Sequence, residues 1–512
     1  MTLSVTDTLT GERRAFEVDD DGEVLLYVCG LTVSDDAHLG HARLWFHADV
    51  LHRWLAYLGY DVRHVENVTD VNEKITARVG EREGWETEAD VARHFTGETI
   101  ENMRRLNLLR AEVYPRVSEH VPEIIDLIGA LVERGYAYET NGSVYFDVTR
   151  FDRYGDLSNQ RLDELESDAD PDELAEKRHP ADFALWKAGG VDEDAVREHR
   201  KHDHGEGDGD GLPSGQTWES PWGEGRPGWH IECSAMSMTH LGETLDVHMG
   251  GRDLVFPHHE NEIAQSEAAT GHTFARYWLH NGLLRTKEDK MSSSLGNFFT
   301  ASDALDEFGV NVVRTFYLGA QYRGDQTFSE DAVAEAEERW ERLERAYEAA
   351  VEACDSVDAR TKREDPALRE AVGTARGEFT AAMNDDLDVR TAFNALLDLG
   401  RAVNRHVDSA VASDAAGASA DADGPDGYDY RGLRRAVETF EEFGGDVFGL
   451  ELGREAAGDV ELAGDLVELV LDVREEERAA GNYERADELR DDLEALGVAV
   501  EDGEDGATYR FE

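Results

Sequence analysis

Three sets of side chains in this sequence have types and spacings that could do chemistry. The first is His38-Leu39-Gly40-His41. Two imidazoles three positions apart at a helix start can face one point, the glycine lets a ligand close on the backbone, and the helix N-terminus offers partial positive charge to phosphate. That suits an ATP site; histidines on a solvated helix start are the plainer alternative. The second is Lys290-Met291-Ser292-Ser293-Ser294-Leu295-Gly296-Asn297. An ammonium followed by hydroxyls suits a triphosphate whose charge moves during reaction. The only lysines are Lys74, Lys177, Lys187, Lys201, Lys287, Lys290 and Lys362, so Lys287 and Lys290 so close together stand out from a merely solvated loop. The third set is metal-like. Pro257 can open a helix, His258 and Glu262 then share one face, and Cys29 with Cys233 would complete a Cys, Cys, His, Glu set for zinc. Buried free cysteines beside a capped helix explain the same residues equally well.

These residues need a scaffold, and the hydropathy pattern predicts one. Glu23–Val28 reads as a strand, His41–Leu58 as the helix behind the His38–His41 turn, and Asp61–Val68 as a second strand. Helical periodicity follows at Glu88–Leu109 and Val121–Arg134, and another strand-helix passage at Glu243–Ala268. Strands alternating with helices predict an α/β, Rossmann-like parallel sheet. Asn141-Gly142 between β-type residues marks a hairpin inside an inserted connective region. Gly189–Ser220 turns to Asp, Glu, Gly and His and reads as a solvated acidic loop, His199, His202 and His204 included. From Ser329 a helical seam recurs through Val333, Ala336, Trp340, Leu343, Tyr347, Ala350 and Cys354, which makes Cys354 a core residue. Further helices are predicted at Pro366–Met383, Val389–Val407 and Arg431–Phe448, with an acidic connector at Ser409–Asp429. A last helical pair around Asp459–Leu496 ends in a tail that could pair Val498–Val500 with Thr508–Phe511.

The expected divisions are a Rossmann catalytic domain in two halves, 1–115 and 226–325, split by the connective region 116–225 with its loop 189–220. A C-terminal α-helical bundle, 326–455, and a small terminal α/β piece, 456–512, follow.

Composition narrows the setting. The 512 residues carry 112 acidic and 51 basic side chains, a formal net charge of −61, with 9% aromatic residues and amphipathic segments throughout. A disordered acidic chain would lack those aromatics, so the excess reads as the surface of a folded protein in a high-salt cytoplasm, where the Debye length shrinks to roughly 3 Å in molar salt. General adhesion to nucleic acid is excluded. No apolar stretch has the length of a signal peptide core or a membrane span, so a cytoplasmic protein with no membrane partner is expected. Three scattered cysteines exclude a disulfide framework. A monomer is expected, because intrachain packing accounts for the apolar seams.

Tyr27–Val33, His38–His41, Asn67–Asp70, Gly228–Met236, Phe256–Ala264 and Lys290–Phe298, in this order, resemble the signatures of cysteinyl-tRNA synthetases, a family of class I aminoacyl-tRNA synthetases. The resemblance spans almost the whole chain. The HIGH-type and KMSKS-type motifs mark the class; the stretches around Cys29, Cys233 and His258–Glu262 mark the cysteine enzyme. It implies ATP-dependent activation of L-cysteine to an adenylate and transfer to the terminal ribose of tRNA(Cys), with Mg2+ accompanying ATP. It implies one Zn2+ held by Cys29, Cys233, His258 and Glu262, and an amino-acid pocket lined by Cys29, Thr69, Trp229 and His258. His38, His41 and Lys290 would be catalytic, and ATP would meet His38, Gly40, His41, Lys290, Ser292 and Ser293. Ser293 stands where the family carries a second lysine, which leaves Lys290, helped by Lys287, to do that work. The region from Gln326 would read the tRNA, with Arg478–Arg490 and Tyr509-Arg510-Phe511 nearest the anticodon. Two other functions fit parts of the pattern: a cysteine ligase acting on an amino sugar, and a non-catalytic RNA- or zinc-binding paralogue.

Overall fold

Strands β1 (Ser4–Thr6) and β2 (Arg13–Ala15) form an antiparallel ribbon ahead of the apolar run that is β3 (Glu23–Val28). This computed structural model describes residues 2–18, 22–162, 171–201, 212–286, 299–415 and 427–453, and part of the residues between 466 and 511. It divides into two units, Met1–Leu450 and Glu451–Glu512.

After β3 come α1 (Leu39–Tyr57), β4 (Asp61–Glu66), α2 (Glu73–Arg78) and α3 (Glu88–Arg105). Next, α4 (Val121–Glu133) leads into β5 (Ala137–Thr140) and β6 (Ser143–Phe146), whose turn places Asn141 and Gly142 at φ of 54° and 85°, as a tight hairpin requires. With α5 (Pro171–Glu176), β7 (Phe183–Ala188), α6 (Glu193–His199) and β8 (Gly225–Pro227), this segment builds an antiparallel sheet in the order β5-β6-β7-β8. The chain then returns through α7 (Trp229–Leu241), β9 (Leu245–Gly251), α8 (Glu260–Thr270) and β10 (Ala275–Asn281). The result is one parallel sheet, β10-β9-β3-β4. Its central strand β3 is a near-continuous apolar run, as a strand buried on both faces requires, and the carboxyl ends of β3, β9 and β10 deliver Cys29, Gly251 and Asn281 to one edge.

Beyond it, β11 (Leu284–Arg285), α9 (Ala301–Tyr317) and β12 (Gln326–Thr327) precede α10 (Glu330–Asp355), which Ser329 caps by accepting from the Ala332 amide. Strand β13 (Ala359–Arg360), α11 (Pro366–Met383), α12 (Val389–Ala415), β14 (Tyr428–Asp429) and α13 (Tyr430–Thr439) complete the helical part of the first unit. In the second unit, β15 (Val498–Gly503) pairs antiparallel with β16 (Gly506–Phe511), and Val467, Leu471, Leu493 and Val498 share a small core.

Three expectations change. Within 189–220, residues 193–199 form α6, because Val191 and Val196 pack against Ala77 of α2 and the Arg78 guanidinium donates to the His199 carbonyl; His202 and His204 lie outside the described residues. The helix expected to open at Pro257 begins at Glu260, after a wider turn over Val255–His259. The seam of α10 buries Ala346 and Ala353, leaving Tyr347 and Cys354 half-buried beside it, since 3.6-residue periodicity drifts off a strict three-four alternation.

Two fully buried arginines tie the first unit together. Arg43, on α1, donates to the carbonyls of Gly282, Leu283, Gln321 and Gly324. Arg314, on α9, donates to Phe448 and Leu106 carbonyls and pairs at 2.6 Å with Asp49 of α1.

Candidate active site

A cavity of about 650 Å³ opens at the carboxyl edge of the parallel sheet. Cys29, Cys233, Thr69 and Trp229 line one end, and His38, Gly40 and His41 the other.

At the first end the cysteines belong to the core, packed with Tyr27, Ile263 and Trp278. Gly30 follows Cys29 because any Cβ there would lie 1.8 Å from the Asn67 carbonyl oxygen. Cys29 Sγ lies 3.8 Å from Cys233 Sγ and 3.5 Å from His258 Nε2, and His258 Nε2 lies 3.1 Å from Glu262 Oε1. Metal–sulfur bonds near 2.3 Å and metal–nitrogen or –oxygen bonds near 2.0–2.1 Å put tetrahedral edges at about 3.8, 3.5 and 3.4 Å, so these donors are spaced to share one zinc-sized ion. Glu262 Oε1 is a buried atom that receives no hydrogen bond, a second sign that the set fits a metal. His259, which the sequence did not single out, joins Cys29, His258 and Glu262 in a group whose donor atoms all lie within 4.8 Å of one another. Its Nε2 stands 3.9 Å from Glu262 Oε1, wider than a tetrahedral edge, while its Nδ1 bonds His280 at 2.8 Å. His248 Nε2 holds the other Glu262 oxygen at 3.0 Å.

The charges follow from crowding in a dry place. Burial works to raise the Glu262 carboxyl, but the facing His248 and His258 rings overcome it and hold the group at about 2. Burial works to lower His258, and the Cys233 and Glu262 charges lift it to about 10. The hydrogen bond to Cys29, together with burial, drives the Cys233 thiol well up.

Trp229 is 41% exposed, and its ring sits 4.3 Å from that of His258. It starts α7 after Gly228, where a Cβ would lie 2.0 Å from the Ala184 oxygen. Thr69 is buried, with its hydroxyl accepting from Asn67 Nδ2 at 3.2 Å.

At the other end, His38 is the N-cap of α1: its Nδ1 accepts from the His41 amide and His41 Nδ1 accepts from the His38 amide, both at 3.3 Å. The two rings stack at 3.8 Å. Gly40 has a local reason to be glycine, since its Cβ would lie 2.8 Å from the His38 ring. Lys287, Lys290, Ser292 and Ser293 lie outside the described residues.

The chain matches the family model for the class I (C) tRNA synthetase catalytic domain over residues 15–338, the DALR domain over 378–453 and the cysteinyl-tRNA ligase anticodon binding domain over 464–510. It is 64% identical to a cysteine–tRNA ligase of Haloarcula marismortui over 511 residues, 100% of each chain, and 62% identical over the same span to one of Halobacterium salinarum. The chain belongs to the cysteinyl-tRNA synthetase family. Among solved structures, a Mycobacterium tuberculosis methionyl-tRNA synthetase bound to methionyl-adenylate shares the fold at a TM-score of 0.57 and 15% identity, covering 83% of this chain and 89% of that one.

The sequence reading missed several residues that line the synthetase's cavity. Asp253 follows Gly250-Gly251 at the end of β9, and Asn281 closes β10; strands of a parallel sheet ending in glycine or a polar residue were the available signal. Glu198, His199, Arg200 and Lys201 reach the cavity from the insertion, and Lys201 pairs with Asp35. No periodicity announces them. Among the described residues, no helix is long and apolar enough to cross a membrane.

Proposed function

We propose that this cavity is where the enzyme carries out its family's reaction, the ATP-dependent ligation of cysteine to tRNA(Cys). The observation that carries the reading is the pair Cys29 and Cys233, which line the same cavity as the His38–His41 turn, with Cys29 at a tetrahedral-edge distance from both Cys233 and His258, and His258 in turn beside Glu262. Zinc held by these four residues would supply a soft Lewis acid that prefers a thiolate to the hydroxyl of serine. Rejection of serine then needs no editing step, because the site is built around a group serine lacks.

The chain's own residues do the rest. Thr69 and the Trp229 ring wall in the amino acid, and the Asp253 carboxylate lies in the same cavity to receive the substrate ammonium. His38 and His41 hold the phosphates while the substrate carboxylate attacks the α-phosphorus and the bond to pyrophosphate breaks, a step governed by positioning and charge, with Mg2+ on the ATP. Lys290, with Lys287, takes the role of the family's loop lysine, and Ser292 and Ser293 offer it hydroxyls. The terminal ribose hydroxyl of tRNA then attacks the acyl carbon and AMP leaves. Residues 464–510, with the anticodon-binding match, support tRNA reading by the second unit, and they count against an amino-sugar ligase. We read the protein as a monomer working in a saline cytoplasm, in keeping with its acidic composition.

Charging of tRNA with labelled cysteine in molar potassium chloride tests the function. Cysteine attached to tRNA is the expected result, and adenylate formation without charging would overturn it. Pyrophosphate exchange by Lys290→Ala tests the loop assignment, which near-normal rates would sink.

A further inference from the structure

Asn281 ends β10 level with Gly251 at the end of β9 and lines the cavity, yet it is only 3% exposed. Its Nδ2 reaches the Gly282 carbonyl at 3.4 Å, and its Oδ1, shut off from solvent, has no hydrogen-bond partner. A buried acceptor left unmet is costly, and native structures tolerate one mainly where a ligand or water will meet it.

The backbone around it cannot turn the amide elsewhere. The Gly282 amide donates to Tyr322 at 2.7 Å, and a Cβ on Gly282 would lie 2.2 Å from the Gly324 carbonyl oxygen. Arg43 then clamps both segments, spanning from Gly282 and Leu283 to Gln321 and Gly324, with the last contact at 2.7 Å. Asn281 is held by this backbone at the lining of a ligand cavity.

Position decides which ligand. Cys29 and the amino-acid end follow β3, while β10 is two strands away at the edge of the sheet. Leu284, three residues beyond Asn281, lies 4.0 Å from where a Gly40 Cβ would be. The amide therefore neighbours the HxGH end, where the nucleotide belongs. ATP's donors apart from its phosphates are the two ribose hydroxyls and the adenine amino group, all in the adenosine part.

We infer that Asn281 Oδ1 accepts a hydrogen bond from the adenosine part of ATP, which makes Asn281 a nucleotide-recognising residue of this synthetase. The inference rests on ATP occupying this cavity. Its test is pyrophosphate exchange by the zinc-loaded full chain in molar potassium chloride, with ATP, 2′-deoxy-ATP, 3′-deoxy-ATP and purine riboside triphosphate as substrates, for wild type, Asn281→Ala and Asn281→Leu. Wild type should lose about tenfold or more in kcat/KM on one of the analogues, the size of a lost hydrogen bond to a buried group. The folded variants should show the same loss with ATP and none further with that analogue, while KM for cysteine stays put. Equal losses on all four nucleotides, or no loss on ATP, would overturn the inference and leave the cavity reading intact. Absence of ATP-dependent exchange in the wild type would instead overturn the cavity reading.

Discussion

The two ends of the cavity are built on opposite terms. At the end proposed to hold metal, Cys29, Cys233, His258 and Glu262 are at most 4% exposed, the two cysteines pack into the core with Tyr27 and Trp278, and Cys29 lies 3.8 Å from Cys233 and 3.5 Å from His258. At the phosphate end His38 and His41 are half-buried on the first turn of α1, joined by a reciprocal pair of 3.3 Å bonds. The difference teaches what each end must do. On the proposed reading, telling a thiol from a hydroxyl demands donors fixed by burial, whereas a triphosphate demands preorganised groups left open enough for the nucleotide to enter and leave. Damage should therefore spread differently from the two ends.

Cys233→Ala should produce the largest effect. It removes a donor and opens a gap in the core, so cysteine-dependent pyrophosphate exchange should fall by about 10³-fold, beyond the 10–100-fold typical of residues behind a metal's ligands. Zinc content and Tm should fall together, as elemental analysis and calorimetry in molar salt would show. His41→Ala should cost about 10²-fold in exchange rate while zinc content and Tm hold; a parallel loss of zinc would erase the contrast between the ends. Trp229→Leu touches the metal end from its exposed side. Losing the ring tilted against His258 should raise KM for cysteine by roughly two- to tenfold without changing KM for ATP, since such ring pairs contribute about 0.5–1.5 kcal/mol.

One prediction concerns β4, which lines neither end of the cavity. His64 of β4 is 4% exposed with both ring nitrogens unpartnered, and burial pulls it down to about 3. Its folded value lies below the unfolded one near 6.5, so the unfolded chain binds the proton first and stability is lost as pH falls from about 6.5 towards 3. In His64→Phe, acid denaturation followed by circular dichroism should begin at lower pH than in wild type. An unchanged acid limb would place the sensitivity elsewhere.

How much of this was legible in the sequence varied with the physics behind each residue. The parallel sheet was readable because the short strand-like segments β3, β9 and β10 are separated by helical periods. The Asn141-Gly142 hairpin was readable because few other residue pairs take two positive φ angles. The Cys29 and Cys233 partnership was not readable from spacing: 204 residues separate them, and β3 and α7 meet only through the fold. Resemblance supplied that link. Residues 193–199 were misread because acid-rich composition signals solvation, while the few apolar contacts of Val191 and Val196 suffice to dock a short helix. For Asn281 the sequence offers only its place at a strand end; its unmet oxygen is what singles it out.

The Asp49 and Arg314 pair has a mechanical consequence. The last residues of the first unit are gripped by α1 and its neighbours: Arg53 donates to the Asp446 carbonyl, Asn107 to Gly449 and Arg314 to Phe448. The second unit begins at Glu451, two residues past that grip. These contacts tie the last residues of the first unit to the middle and far end of α1, a 19-residue rod about 28 Å long whose opposite tip is the His38–His41 turn. The helix that opens at the HxGH turn is also the strut that holds the end of the first unit in place.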